Sequence, residues 1–313
     1  MSFSAEVKNE IARSEERKKC CTLAEIAGFI RMCGSVKLSG GGKLDLKIVT
    51  ENPAIARAFL KRIKRYFGVS ANLKIGQSNL LKKGYLYELT IDAENNAEQI
   101  LRETGILRVR EGCNYFPDDI STDLIKSRCC KRAYLRGTFL GAGTISHPEK
   151  GYHMEIVCNS STLANDLKRL INSFGLRSKV TTRKNNYVVY LKESEQISDF
   201  LALLGANKHV MEFENVRIVK ELRNKTNRIV NCESANLDKT INSASRQIET
   251  IRLIESKGGL ACLPEKLREI AVLRLENPDS SLTELGQMLD PPLKKSGVSH
   301  RFRKIEEIAE RFR

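Results

Sequence analysis

A repeat constrains this chain more than any other feature. The segment CCTLAEIAGFIRMCGSV (20–36) lies without gaps on CCKRAYLRGTFLGAGTI (129–145), at a constant offset of 109 residues. Cys20 and Cys21 fall on Cys129 and Cys130, Ala24 on Ala133, Gly28 on Gly137 and Gly34 on Gly143. Self-similarity of this kind points to one supersecondary unit used twice, with the copies burying each other's apolar surface. Small residues recur at four-residue spacing in both copies, Ala24 and Gly28 in one, Ala133, Gly137 and Gly141 in the other. On a helix that spacing puts them on one face. Two such faces allow close approach of two backbones, which predicts a helix pair packed along a pseudo-twofold.

The segments downstream of the two copies are also alike. After the first come an alternating run KLDLKIVT (43–50), a helical stretch from Asn52-Pro53 to Phe67-Gly68, the runs SANLKIGQ (70–77) and GYLYELTI (84–91), and a helix near 95–104. After the second come YHMEIVCN (152–159), a helix from about Thr162 to Phe174-Gly175, RSKVTTRK (177–184), YVVYLK (187–192) and a helix near 194–204. Period-2 runs read as strands with one buried face, and 3.6-period runs as helices covering it. Each half is therefore α-β-β-α-β-β-α. Together they predict an α+β domain over 20–205, with repeats at about 20–108 and 129–205, preceded by an N-terminal helix or extension at 1–19. The Gly40-Gly41-Gly42 run reads as a hairpin turn rather than a nucleotide cradle.

The segments IAGFIRMCG (26–34) and LRGTFLGAG (135–143) resemble the paired motifs of LAGLIDADG homing endonucleases. The resemblance implies that the acid holding the divalent metals stands just before the last glycine of each motif. Here those positions are Cys33 and Ala142. Hard Mg²⁺ and two-metal phosphoryl chemistry need carboxylates, and neither a thiol nor a methyl replaces one. The chain is therefore expected not to be an enzyme; an active Mg²⁺-dependent endonuclease would need rescue by another acid, such as Asp45 or Glu155.

Charge points to a polyanion. Lys plus Arg number 53 against 38 Asp plus Glu, a net +15, and a surplus of that size favours partners whose counterions can be released. From Asn52 to Tyr87 there is no acid but eight basic residues: Arg57, Lys61, Arg62, Lys64, Arg65, Lys74, Lys82 and Lys83. Arg177, Lys179, Arg183 and Lys184 form the corresponding cluster in the second half. In the resembling family the sheets form a saddle over DNA, so Lys74, Lys82, Lys83, Lys179, Arg183 and Lys184, on strands or their turns, are the candidate contacts there. The sequence is compatible with a saddle that grips DNA and with one turned to another partner.

Residues 206–260 are polar and helical, read as one or two linking helices with Leu237, Ile241, Ala244, Ile248, Ile251 and Leu253 or Ile254 on an apolar stripe. Arg223, Asn227, Arg228 and Asn231 concentrate guanidinium and amide groups suited to phosphates or base edges. From 261 to 313 three short helices are expected. The first has Pro264 in its first turn, the second opens on a capping box at Ser281 and Glu284, and the third follows Pro291-Pro292 and is capped by Ser296. Val298, Phe302, Ile305, Ala309 and Phe312 form the stripe of the last helix. This is a helix-turn-helix pattern. Residues 291–304 carry Lys294, Lys295, Arg301, Arg303 and Lys304 without an acid, whereas Glu306, Glu307 and Glu310 come after them. A recognition helix meets DNA with its N-terminal half. Ser299, His300 and Arg303 are therefore the candidates for base edges, and Lys294, Lys295, Ser296, Arg301 and Lys304 for phosphates; His300 suits either.

Taken with AEIAGFIRMCGS, NRIVNCESANLDKT and SLTELGQMLDPPLKKSGVSHRFRK, the whole chain resembles the WhiA family. That resemblance implies a DNA-binding transcriptional regulator tied to sporulation, cell division or chromosome segregation. Double-stranded DNA is the expected partner, RNA polymerase or another regulator a further candidate, and a monomer the simpler state. A nucleoid- or division-associated protein acting through protein contacts is the alternative. No run of about 18 apolar residues and no apolar signal core occurs, so the expected location is the cytoplasm, at the nucleoid, without membrane contact. Nine cysteines without a C-x-x-C suit a reducing compartment. The adjacent pairs are read as buried free thiols rather than zinc ligands, and no cofactor or metal is expected.

Overall fold

The computed structural model describes residues 2–14, 18–77 and 84–312. The chain divides into two compact units, Met1–Val219 and Lys220–Arg313. In the first, α1 (Phe3–Arg13) is followed by α2 (Lys19–Cys33), β1 (Gly34–Ser39), β2 (Lys43–Thr50), α3 (Pro53–Phe67), β3 (Asn72–Gln77), β4 (Tyr85–Ile91) and α4 (Ala97–Glu103). A short hairpin, β5 (Arg108–Arg110) and β6 (Cys113–Tyr115), leads to the second half. There α5 (Arg128–Ala142), β7 (Gly143–Ile145), β8 (Met154–Cys158), α6 (Ser161–Asn172), β9 (Lys179–Arg183), β10 (Asn186–Leu191) and α7 (Ser194–Leu204) repeat the order. The two antiparallel sheets have matching strand orders, β1-β2-β4-β3 and β7-β8-β10-β9. The expected repeat is thus observed element for element.

Local chemistry explains the boundaries. The Asn52 side chain accepts from the amides of Ala54 (2.8 Å) and Ile55 (3.3 Å), Pro53 occupies the first turn, and Gly68 closes α3 in the left-handed region. On β2, Leu44, Leu46 and Ile48 point inward, as do Met154, Ile156 and Cys158 on β8. Their neighbours line the solvent faces. The β5–β6 hairpin carries no such pattern and is not anticipated from sequence. It turns through Glu111 (φ 52°) and Gly112 (φ 79°), the pair of positive φ values that a two-residue hairpin favours.

At the centre α2 and α5 touch through their backbones. A methyl added at Gly28 would lie 2.4 Å from the Tyr134 carbonyl oxygen, and one at Gly137 would lie 2.1 Å from that of Glu25. Gly141 meets the Cβ of Met32 at 2.7 Å by the same measure. Glu25 itself is fully buried and ion-paired, 2.9 Å from Arg136 and 3.3 Å from Arg62. Arg62 also donates to the carbonyls of Ala12 (3.2 Å) and Ser14 (2.8 Å), which ties the end of α1 to α3. Phe3, Val7 and Ile11 bury the inner face of α1 in the same core.

A single helix, α8 (Asn207–Gly258), occupies 52 residues where one or two linking helices were expected. In the second unit it is followed by α9 (Glu265–Glu276), α10 (Leu282–Gln287) and α11 (Lys295–Ala309). Of the expected stripe on α8, Ala244, Ile251 and Ile254 are buried, but Leu237 and Ile241 are 60% and 51% exposed. The stripe is real only where α9–α11 pack on the helix; upstream no neighbour covers those positions within the second unit. Among the described residues no helix is long and apolar enough to cross a membrane.

The helix contact yields a direct test. Gly137→Ala places a methyl against backbone, which cannot rotate away, so it is expected to cost at least the ~1–3 kcal/mol of ordinary overpacking. Gly40→Ala, with open space around it, is expected to stay within about 0.5 kcal/mol of the parent. Denaturant unfolding of both variants measures the difference.

Candidate nucleic-acid interface

The two positions singled out in the paired motifs sit at equivalent places. Cys33 is the last residue of α2 and Ala142 the last of α5, each followed by a glycine that opens a strand. The Cys33 thiol donates to the Phe29 carbonyl at 3.1 Å. Burial pushes that thiol up to about 12, with the Lys8 ammonium acting against the shift. Lys8 is in turn pushed down to about 8 by burial, opposed by Cys33 and Glu51. The two acids weighed as substitutes have other engagements. Asp45 accepts from the Ser39 hydroxyl and, at 2.9 Å, from the Ala93 amide. Glu155 is held by Arg183 at 3.1 Å and by His153 at 3.0 Å.

The sheets present mixed charge to solvent. Lys74 is exposed on β3, paired in register with Glu88 of β4, which Lys47 of β2 contacts at 2.6 Å. Lys179 and Arg183 lie on the solvent face of β9, and Lys184 follows in the turn with φ 54°. Arg183 spends its charge partly on Glu155. Lys82 and Lys83 lie outside the described residues. On α8, Arg223, Asn227, Arg228 and Asn231 are all exposed, and the four-residue steps from 223 to 227 to 231 keep three of them on one side.

The second unit is built around a tight turn. Ser281 caps α10 in a full capping box, accepting from the Glu284 amide (3.3 Å) while its own amide donates to the Glu284 carboxylate (2.7 Å). Near the end of α10 the Gly286 carbonyl accepts from the Leu293 amide at 2.8 Å. A methyl on Gly286 would lie 2.2 Å from the Leu293 carbonyl oxygen and 3.0 Å from a methyl of Val298. That contact sets α11 against α10. Arg274 of α9, 1% exposed, holds the other side. Its guanidinium donates to the carbonyls of Asn277 (3.3 Å), Pro278 (3.3 Å) and Ser280 (2.6 Å) and to the Gln247 side chain on α8 (3.0 Å). It also stacks over Phe302, 5.6 Å from the ring centre.

On α11, Val298, Phe302, Ile305 and Ala309 are buried as expected. Lys294, Lys295, Ser296, Ser299, His300, Arg303 and Lys304 are exposed. Arg303 reaches Glu307 at 3.6 Å, with both side chains largely exposed; such a surface pair is worth only ~0.3–0.5 kcal/mol and yields readily to a stronger anion. Three expectations need correction. Ser296 does not cap the helix: α11 begins at Lys295, with Lys294 in the cap position and no side-chain capping bond. The Leu293–Gly286 bond sets the chain turning early, and the Lys294 carbonyl already accepts from Gly297 (2.8 Å) and Val298 (3.2 Å). Pro264 likewise stands at the cap of α9 rather than inside its first turn. Arg301 does not face outward with its neighbours. It is 17% exposed and bonds the Lys266 carbonyl (3.0 Å) and Glu269 (3.4 Å), fastening α11 to α9.

Sequence reasoning missed the second wall of this surface. Ser243, Arg246, Gln247 and Thr250 of α8 line a cleft of about 300 Å³ with Ser299, Phe302 and Arg303 of α11. Their three- and four-residue spacing was the available signal.

The fold and this surface define the class: LAGLIDADG-like α+β repeats followed by a helical helix-turn-helix domain. Comparison with known proteins agrees along the chain. Residues 19–107 match the WhiA N-terminal LAGLIDADG-like domain, 131–223 the WhiA LAGLIDADG-like domain and 226–309 the WhiA C-terminal HTH domain. A Clostridium perfringens (strain 13 / Type A) protein called "Probable cell division protein WhiA" is 50% identical over 313 residues, covering 100% of this chain and 99% of its own length. Its counterpart of the same description in Alkaliphilus metalliredigens is 48% identical over the same span. The crystal structure of full-length DUF199/WhiA from Thermatoga maritima superposes with a TM-score of 0.58 at 25% identity, over 100% of this chain and 99% of that one. The chain belongs to the WhiA family.

Removing the Arg274 guanidinium breaks its bonds to three part-buried loop carbonyls at once, each hydrogen bond worth ~0.5–1.5 kcal/mol. Arg274→Met is therefore expected to raise hydrogen exchange across residues 260–309 while leaving α2 and α5 protected. Gly286→Ala is expected to do the same through the turn.

Proposed function

We propose that this chain is a sequence-specific DNA-binding regulator of transcription, linked to cell division, chromosome segregation or sporulation, and that it reads double-stranded DNA through α11. One observation carries the reading: an exposed, acid-free basic surface on the first half of α11, set in a helix-turn-helix by the Gly286–Leu293 contact. Free amides at that helix end and the side chains of Lys294, Lys295, Ser296 and Lys304 suit phosphates. Ser299, His300 and Arg303 suit base edges. Arg301 leaves the set because its guanidinium is committed to α9. The matched WhiA C-terminal HTH domain supports this assignment.

In this reading residues 1–19 are an N-terminal extension, 20–205 an endonuclease-like shell without phosphodiester chemistry, 206–260 a linking segment and 261–313 the reader, working at the nucleoid in the cytoplasm. Cys33 and Ala142 offer no carboxylate, and Asp45 and Glu155 are engaged elsewhere. Lys74, Lys179, Arg183 and Lys184 supply a weaker second grip, and Arg223, Asn227, Arg228 and Asn231 a further polar strip. The relatives' description as probable cell division proteins and the mixed charge of the sheet faces favour one second reading, a division-associated protein that uses DNA mainly as an anchor.

Chromatin immunoprecipitation with sequencing, set beside transcript changes on depletion, separates the two. Regulation predicts a shared motif at promoters whose transcripts change; many sites without altered transcripts would favour the anchor. In vitro, Arg303→Ala is expected to weaken specific-site binding by ~1–3 kcal/mol. Lys304→Ala should lower binding to all sequences alike and reduce the salt slope by about one, and Arg301→Ala should leave that slope unchanged. Full affinity after deletion of 263–313 would move the reader to the sheets. Incubation with Mg²⁺ and chromosomal DNA is expected to give no cleavage product.

A further inference from the structure

The helix ends remote from Cys33 and Ala142 hold a second cluster. The N-termini of α2 and α5 bring the sulfurs of Cys20, Cys21 and Cys130 all within 4.8 Å of one another. Cys21 and Cys130 are buried, at 1% and 6% exposure. Cys129, next to Cys130 on α5 and outside that group of three, lies 3.1 Å from the Ser127 hydroxyl. The sulfurs come from both repeats, so the cluster straddles the pseudo-twofold.

We propose that Cys20, Cys21, Cys129 and Cys130 form a tetrathiolate site for Zn²⁺ that staples the N-terminal ends of the two central helices. Tetrahedral Zn–S bonds of about 2.3 Å put sulfurs roughly 3.8 Å apart, so three of the four need close by less than about 1 Å each. Adjacent cysteines on one helix make a poor chelate by themselves. Here each helix supplies only half the set, and the glycine-mediated contact of α2 with α5 does the rest. The donors are all sulfur, which selects a soft or borderline ion and excludes Mg²⁺ and Ca²⁺. Zn²⁺ with four thiolates carries two negative charges. They would sit at two helix N-termini, where the dipole favours anions, among Lys18, Lys19, Arg128 and Lys131, which flank the cysteines in sequence. Binding converts four thiols to thiolates and releases their protons to solvent.

The test uses the full-length chain purified under reducing conditions. Metal analysis is expected to find about one zinc per chain, released in step with mercurial titration of the thiols. Co²⁺ added to chelator-treated protein is expected to give the sulfur-to-cobalt charge-transfer and d–d bands of a tetrahedral thiolate site. A Cys20→Ser/Cys130→Ser double variant should lose both signals, while Cys113→Ser keeps them. Wild-type protein with neither stoichiometric zinc nor cobalt bands would overturn the proposal, whatever the folding of the variants. Zinc retained in the double variant, or a disulfide joining the two pairs in place of metal, would overturn it equally.

Discussion

Two backbones in contact hold the first unit together. Gly28 faces the Tyr134 carbonyl and Gly137 the Glu25 carbonyl at distances where no Cβ fits, so α2 and α5 cross closer than helices carrying larger side chains can. That approach brings the two sheets into one core: Phe29, fully buried, stacks on Phe59 of one flanking helix, and Phe139, equally buried, meets Phe200 of another edge-on. The same approach brings sulfurs from both cysteine pairs together at one end and places Cys33 and Ala142 at the other. The cysteine cluster and the two motif-end residues alike are consequences of one crossing.

The second unit solves a smaller problem with fewer residues. Its core is a dozen apolar side chains from α8 to α11, too few to fix the last helix by packing alone. Polar groups do the positioning. Arg274 gathers three loop carbonyls and a glutamine of α8 under Phe302, and Gly286 brings the end of α10 onto the start of α11. Arg301 adds a fastening from the other side. Two of these three anchors are arginines, in a chain whose cation surplus suggests phosphate binding. Charge composition therefore overstates the cationic surface left exposed.

Much of this was legible in the sequence, wherever one face of an element is buried. The helix expected near 194–204 is observed at Ser194–Leu204, and the strand expected at 43–50 is observed at Lys43–Thr50, because alternation or helical period records burial directly. Where nothing is buried, the pattern is silent. The middle of α8 packs on no neighbour within its unit, so the period read through Leu237 and Ile241 marks no buried face there, and nothing in the sequence announced one helix of 52 residues. The three-residue strands β5 and β6 are too short to alternate. Ser296 misled because a serine before an apolar stripe resembles a cap, while the true start is set by a backbone bond to Gly286. Arg301 was readable in principle: three residues after Val298 and four before Ile305, it sits at the margin of the buried face.

The buried ion pair at Glu25 makes the two halves unequal. Glu25 aligns with Tyr134 and Arg136 with Ala27, so the carboxylate comes from one repeat and its nearer guanidinium from the other. A chain assembled from two first halves would bury two carboxylates, each short of that arginine. One assembled from two second halves would bury two such arginines with no carboxylate between them. Either mismatch costs ~3–5 kcal/mol per broken pair, a large share of the ~5–15 kcal/mol by which a domain is stable. The repeats still share a fold, but they have become lock and key: neither can now stand in for the other.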